Sequence, residues 1–108
     1  MPYGICIDLS TGQVFVEGKA TAEKISDLRY RALVYLTENT GRVVSRDELF
    51  QKLYGEKYIP TDQSLDALIN RIRKVIGDGS RPPKYLETIH GRGFCMKNAS
   101  LVRTRKSI

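Results

Sequence analysis

The stretch Thr61–Gly77, TDQSLDALINRIRKVIG, decides the reading of this 108-residue chain. With Gln63 placed at 0° and each residue advancing about 100°, Ile72 falls opposite it, and Leu65, Leu68, Ile69, Val75 and Ile76 gather within about 60° of Ile72. The stripe is continuous, so one side of the helix predicted over 62–76 packs in a core. The other side collects Gln63, Asp66, Ala67, Asn70 and Lys74, flanked by Arg71 and Arg73. Such a rod, with amide, carboxylate and guanidinium groups on its free face, suits a major groove, which admits one helix and shows a distinct donor and acceptor pattern for each base pair. Asn70 then suits adenine, and Arg71 guanine or a phosphate. An ordinary amphipathic helix also has a solvated polar face, so the surrounding features must decide between the two.

Charge is the first of these. Residues 1–61 carry eight Lys/Arg and eight Asp/Glu, whereas residues 62–108 carry ten and four, so the net charge of +6 lies entirely in the second part. A neutral half joined to a basic half points to one surface that meets a polyanion. Hydrophobic residues make up 41% of the chain, enough for a core in one compact domain that buries roughly two-thirds of its unfolded surface. Cys6 and Cys95 lack CxxC spacing and the chain has one histidine, which supports neither a zinc site nor a disulfide framework. Reduced thiols imply a cytoplasmic protein. No apolar run approaches the roughly 18 residues of a membrane span.

Upstream, Ile5, Ile7, Val14, Phe15 and Val16 mark two or three short antiparallel strands, with turns at Thr11-Gly12 and Gly18. Ser26 before Asp27 reads as the cap of a first helix that carries Tyr30, Leu33, Val34 and Leu36 and ends at Asn39-Thr40-Gly41. Ser45 followed by Glu48 is a capping box for a second helix, which buries Leu49 and Leu53 and stops at Gly55. Thr61 or Asp62 caps the third. Downstream, Asp78-Gly79-Ser80-Arg81-Pro82-Pro83 reads as an exposed turn. A hairpin over 85–97, YLETIHGRGFCMK, turns at Gly91-Arg92-Gly93 and directs Leu86, Ile89, Phe94 and Met96 inward. His90 and Arg92 lie near its tip, where a basic ribbon enters a minor groove or rests on phosphates. Residues 99–108, with Arg103, Arg105 and Lys106, read as a basic, mobile tail outside a domain of residues 1–98.

These residues carry a resemblance. Gly41–Leu49 (GRVVSRDEL), Leu53-Tyr54-Gly55, Ser64-Leu65-Asp66 with Ile69–Lys74 (INRIRK), and Tyr85–Ile89 (YLETI) with Gly91–Phe94 (GRGF) occur in the order and spacing of the OmpR/PhoB-type winged-helix domain. That domain is the DNA-binding output module of many bacterial two-component response regulators, which act in phosphorelay. The resemblance implies an α+β winged helix-turn-helix with a four-stranded N-terminal antiparallel β-sheet, three helices and a C-terminal β-hairpin wing. It implies that 62–76 is the recognition helix, with Arg71 and Arg73 on bases or phosphates and Asp66 orienting a neighbouring arginine. Thr88 and His90 fall where the wing touches DNA. The loop of Gly55, Glu56, Lys57, Tyr58 and Ile59 matches a segment that contacts RNA polymerase in some members. Members commonly bind direct repeats as head-to-tail dimers.

The sequence departs from the family at Leu68, where a polar residue is common, at Asn70, at Cys95 and at His90, which replaces a wing arginine. Histidine lacks the permanent charge of arginine near neutral pH, which predicts weaker wing anchoring and an altered target. Nothing in the chain supplies the acidic pocket and phosphoacceptor aspartate of a receiver, so an excised C-terminal domain or a stand-alone relative is expected. The function expected is sequence-specific binding of double-stranded DNA, with Arg71, Arg73, Lys74 and Arg92 neutralising phosphates. The alternative is a winged helix for protein contact, motivated by Leu68 and His90. With no paired-carboxylate, nucleophile or phosphate-loop motif, catalytic residues, a metal and a cofactor are not expected.

Overall fold

The coordinates are a computed structural model that describes residues 4–21, 25, 27–55, 62–79 and 83–103. Along the chain run β1 (Ile5–Asp8), β2 (Gln13–Val16), β3 (Lys19–Ala20), α1 (Asp27–Glu38), β4 (Val43–Val44) and α2 (Arg46–Tyr54). Then follow α3 (Asp62–Val75), β5 (Leu86–Ile89), β6 (Gly93–Met96) and β7 (Ala99–Val102). The α+β architecture with three helices and a C-terminal hairpin is as expected. Two sheets flank the helices, one ordered β3-β2-β1-β7 and the other β4-β6-β5.

The first sheet differs from the expectation in one strand. β1 and β2 pair antiparallel, as do β2 and β3, but the fourth strand is β7, which runs parallel to β1 from Ile5 opposite Ala99 to Asp8 opposite Val102. The sheet is therefore mixed, and the tail assigned to 99–108 is corrected, because residues 99–102 are part of it. The physical reason is period-two patterning: Ala99 and Leu101 pack against the core. Asn98, with φ of 53°, turns the chain out of the hairpin, and its carbonyl accepts the Ile5 amide at 2.8 Å. Residues 104–108, which include Arg105 and Lys106, lie outside the described residues.

The hairpin of β5 and β6 pairs Leu86 with Met96 and Thr88 with Phe94, and β4 extends it through Val43 and Val44. Leu86, Phe94 and Met96 are buried as expected. Ile89 is only half-buried, a correction that follows from strand geometry, since it lies three residues after Leu86 and so on the opposite face. Gly93 needs its missing side chain, because a Cβ there would lie 2.1 Å from the Val44 carbonyl oxygen.

The core joins Ile5, Ile7 and Val14 of the first sheet to Leu33 and Leu36 of α1, Leu49 and Leu53 of α2, and the apolar stripe of α3. Two polar contacts set the outer elements against it. The Tyr85 hydroxyl donates to the Glu17 carboxylate, which ties the β2–β3 turn to the base of the hairpin and pushes the phenol up to about 12. Glu48 gathers the second contact. The Ser45 hydroxyl accepts the Glu48 amide at 3.0 Å while the Ser45 backbone supports the Glu48 carboxylate, which completes the capping box. The same carboxylate accepts both terminal nitrogens of Arg42, at 3.1 and 2.5 Å, and the Tyr35 hydroxyl.

Arg42 first, then Tyr35, hold the Glu48 carboxyl at about 2, below its ordinary 4.5. A carboxyl depressed on folding stabilises the fold above its unfolded value, and that contribution disappears as pH falls through the folded one. Glu48→Gln is therefore expected to show a smaller loss of urea stability between pH 5 and pH 2 than the parent, since it has no carboxyl to protonate. An acid limb identical in the two proteins contradicts this assignment.

Candidate nucleic-acid interface

Helix α3 is anchored on one side. Leu65, Leu68, Ile69, Ile72 and Ile76 are between 1% and 7% exposed, and Val75 is half-buried. Leu68 belongs to the core, as its place in the apolar stripe implies, although a polar residue is common there in the family it resembles. Asp66, Ala67, Asn70, Arg71 and Lys74 are exposed on the other side, as the helical spacing requires. Gln63 lies in the first turn of α3, but its side chain is outside the described residues. Arg71 and Lys74 form no ion pair among the described residues, so their charges face solvent.

Asp66 is paired. Its Oδ1 lies 2.8 Å from Nη1 of Arg46, in the first turn of α2, and the Arg46 guanidinium sits 5.4 Å from the centre of the Phe94 ring. The arginine oriented by Asp66 comes from the preceding helix rather than from α3. One acid on the exposed face is neutralised in this way, and α2, α3 and β6 meet at a single guanidinium.

Arg73 also differs from a free surface cation. It is half-buried and points to the hairpin, with Nε donating to the Leu86 carbonyl at 3.0 Å and Nη2 to the Thr88 hydroxyl at 2.7 Å. A longer 3.5 Å contact runs from Nη1 to the Asn70 side-chain oxygen. Burial pushes the Arg73 guanidinium down from its ordinary value, while the carboxylates of Asp78 and Asp66 oppose that shift. It stays charged, as arginine does in proteins.

Asp78 is the residue that the sequence reading missed. Assigned above to an exposed turn, it is 3% exposed, and its carboxylate accepts three successive backbone amides: Lys84 at 2.6 Å, Tyr85 at 3.2 Å and Leu86 at 2.8 Å. Its own amide donates to the Arg73 carbonyl at 2.8 Å. The end of α3 is thereby joined to the start of β5. An aspartate next to a helix-ending glycine and ahead of a Pro-Pro loop was the available signal, since short acidic side chains favour bonds to nearby backbone.

At the far end of the hairpin His90 and Arg92 are exposed, and the Arg92 amide closes the turn on the Ile89 carbonyl at 3.0 Å. Thr88 is exposed as well, with its hydroxyl oxygen engaged by Arg73. The exposed face of α3 and the hairpin are therefore adjoining parts of one surface. The loop expected to meet a polymerase is not described beyond Gly55, which caps α2 with φ of 76° and donates its amide to the Gln51 carbonyl. Glu56, Lys57, Tyr58 and Ile59 lie outside the described residues.

Comparison with known proteins places this geometry. Residues 21–96 match the family described as transcriptional regulatory protein, C terminal. The chain belongs to that family. It is 37% identical over 71 residues to the aerobic respiration control protein ArcA of Escherichia coli strain K12, a match that spans 66% of this chain and 30% of ArcA. Among solved structures it resembles the RstA DNA-binding domain of Klebsiella pneumoniae in complex with the RstA box. That likeness has a TM-score of 0.75 and 29% identity, over 85% of this chain and 89% of that one. It also resembles the response regulator DrrB of Thermotoga maritima, an OmpR/PhoB homologue, with a TM-score of 0.72 and 32% identity, over 84% of this chain and 40% of DrrB. The OmpR/PhoB-type winged-helix assignment follows from these matches. This domain spans less than half the length of such curated relatives.

The Asp78 anchor makes a stability prediction for the winged-helix domain. Asp78→Ala leaves three amide donors at the base of the hairpin without their acceptor, and each buried unsatisfied group costs about 1–3 kcal/mol. A loss of about 3 kcal/mol is expected in urea unfolding. A change below about 0.5 kcal/mol, the size of an ordinary surface substitution, contradicts the anchoring role.

Proposed function

We propose that this domain binds double-stranded DNA sequence-specifically as the output part of a bacterial transcriptional regulator. In this reading α3 enters the major groove and the wing formed by β5 and β6 lies at the adjacent minor groove or backbone. The observation that carries it is the exposed row Asp66, Ala67, Asn70, Arg71 and Lys74 on a helix whose other side is buried, next to a wing with Thr88, His90 and Arg92 exposed. Family membership and the likeness to a domain solved with its DNA box support the same reading. Asn70 and Arg71 are the base readers, while Lys74 and Arg92 neutralise phosphates.

Further parts of the proposal rest on the family resemblance: action in a two-component phosphorelay, head-to-tail pairing on direct repeats, polymerase contact through residues 55–59, a cytoplasmic location and a binding rather than catalytic role. Among the described residues no helix is long and apolar enough to cross a membrane. The protein-contact alternative loses one of its two motivations, because Leu68 is 7% exposed and held in the core.

The test is selection of duplexes from a genomic fragment library, followed by anisotropy titration at two salt concentrations. One enriched sequence class is expected. Arg71→Ala is expected to weaken binding to it about tenfold or more, since a base-contacting arginine is worth about 1–3 kcal/mol. Enrichment of no sequence, with Arg71→Ala binding as the parent does, contradicts the proposal.

A further inference from the structure

Arg73, unlike Arg71 and Lys74 on the same helix, is turned toward the protein. Its Nε and Nη2 form the side edge of the guanidinium fork, the pair of donors that grips a carboxylate, a phosphate or a guanine edge in two-point contacts. Both are spent on β5, one on the Leu86 carbonyl and one on the Thr88 hydroxyl. Arg71 and Lys74, by contrast, are exposed. Thr88 takes the Arg73 hydrogen bond on its oxygen and retains its own hydroxyl hydrogen. Because Thr88 is exposed, that hydrogen is available to an acceptor outside the protein.

We propose that Arg73 is a positioning residue: it locks the wing to α3 and holds the Thr88 hydroxyl ready to donate to a DNA phosphate, without gripping DNA itself. The inference rests on the DNA-binding reading and deepens it. A guanidinium that donates to a hydroxyl makes that hydroxyl a better donor in turn, so the relay Arg73 to Thr88 to phosphate is stronger than a threonine contact alone. With Asp78 fixing the base of the wing and Arg73 fixing its middle, helix and wing approach DNA as one body. The distance between the major-groove and minor-groove contacts is then set by the protein.

The test compares Arg73→Gln, Thr88→Val, Thr88→Ser and the Arg73→Gln/Thr88→Val pair on the selected duplex, with Arg71→Ala as the control for DNA binding. Arg73→Gln and Thr88→Val are each expected to weaken binding about tenfold, the scale of a hydrogen bond that involves a charged group, and the pair little more than either alone. Thr88→Ser, which keeps the hydroxyl, is expected to bind within about twofold of the parent. Arg73→Gln is also expected to leave the salt slope near that of the parent, whereas loss of a direct phosphate contact lowers it by about 0.9. A slope lowered by that amount, or full affinity in Thr88→Val, overturns the proposal even though the parent binds DNA. If the parent selects no DNA, hydrogen exchange of the 86–89 amides in the free protein decides. Faster exchange in Arg73→Gln upholds the lock and leaves the DNA reading to fail alone, and unchanged exchange overturns the lock.

Discussion

Helix α3 can offer a fixed polar face only because its opposite face is held in the core. Leu65, Leu68, Ile69, Ile72 and Ile76 are each at least nine-tenths buried, and full burial of such a side chain contributes roughly 1.5–3 kcal/mol. Rotating the helix by one residue, about 100°, would carry much of that stripe into water and bring Asn70 or Arg71 toward Leu33 and Leu36. Five anchors on one side therefore determine which side chains are exposed on the other. The wing then inherits its position from the helix, through Asp78 at its base and Arg73 at its middle.

Charge does a different job from apolar burial in this domain. The ion pairs Arg42–Glu48, Arg46–Asp66 and Lys97–Glu87 are all partly exposed, and pairs of that kind contribute little net stability. Their effect is placement: Arg42 and Glu48 join the loop before β4 to the start of α2, and Arg46 offsets Asp66 on the exposed face of α3. Arg71, Lys74 and Arg92 are left pointing outward. The basic surplus seen in residues 62–108 is thus sorted by the fold into cations that hold the protein together and cations that face solvent.

That sorting was invisible in the sequence, whereas the scaffold was largely legible. The 3.6-residue repeat of α3 and the Ser45–Glu48 cap of α2 are local signals, and both elements lie where those signals put them. β7 was missed because four residues are too short a run for their alternation to stand out as a strand, and its partner β1 is at the other end of the chain. Asp78 was taken for turn filler because its three acceptor bonds exist only once β5 has folded back beside the end of α3. Arg73 sits on the helical wheel among surface residues, and only the nearby β5 shows that its fork is already engaged. In each case a contact distant in sequence overrode a local pattern.

The central claim is that α3 and the wing form a single rigid surface that reads one major groove together with its neighbouring minor groove. Dimethyl sulfate footprinting on a selected duplex tests this most directly, since it reports guanine N7 in the major groove and adenine N3 in the minor groove in one experiment. Protected guanines in one major-groove segment, flanked by protected adenines in the minor groove about half a helical turn away, are predicted. Protection spread evenly along the duplex, or confined to the major groove with the wing segment untouched, contradicts it.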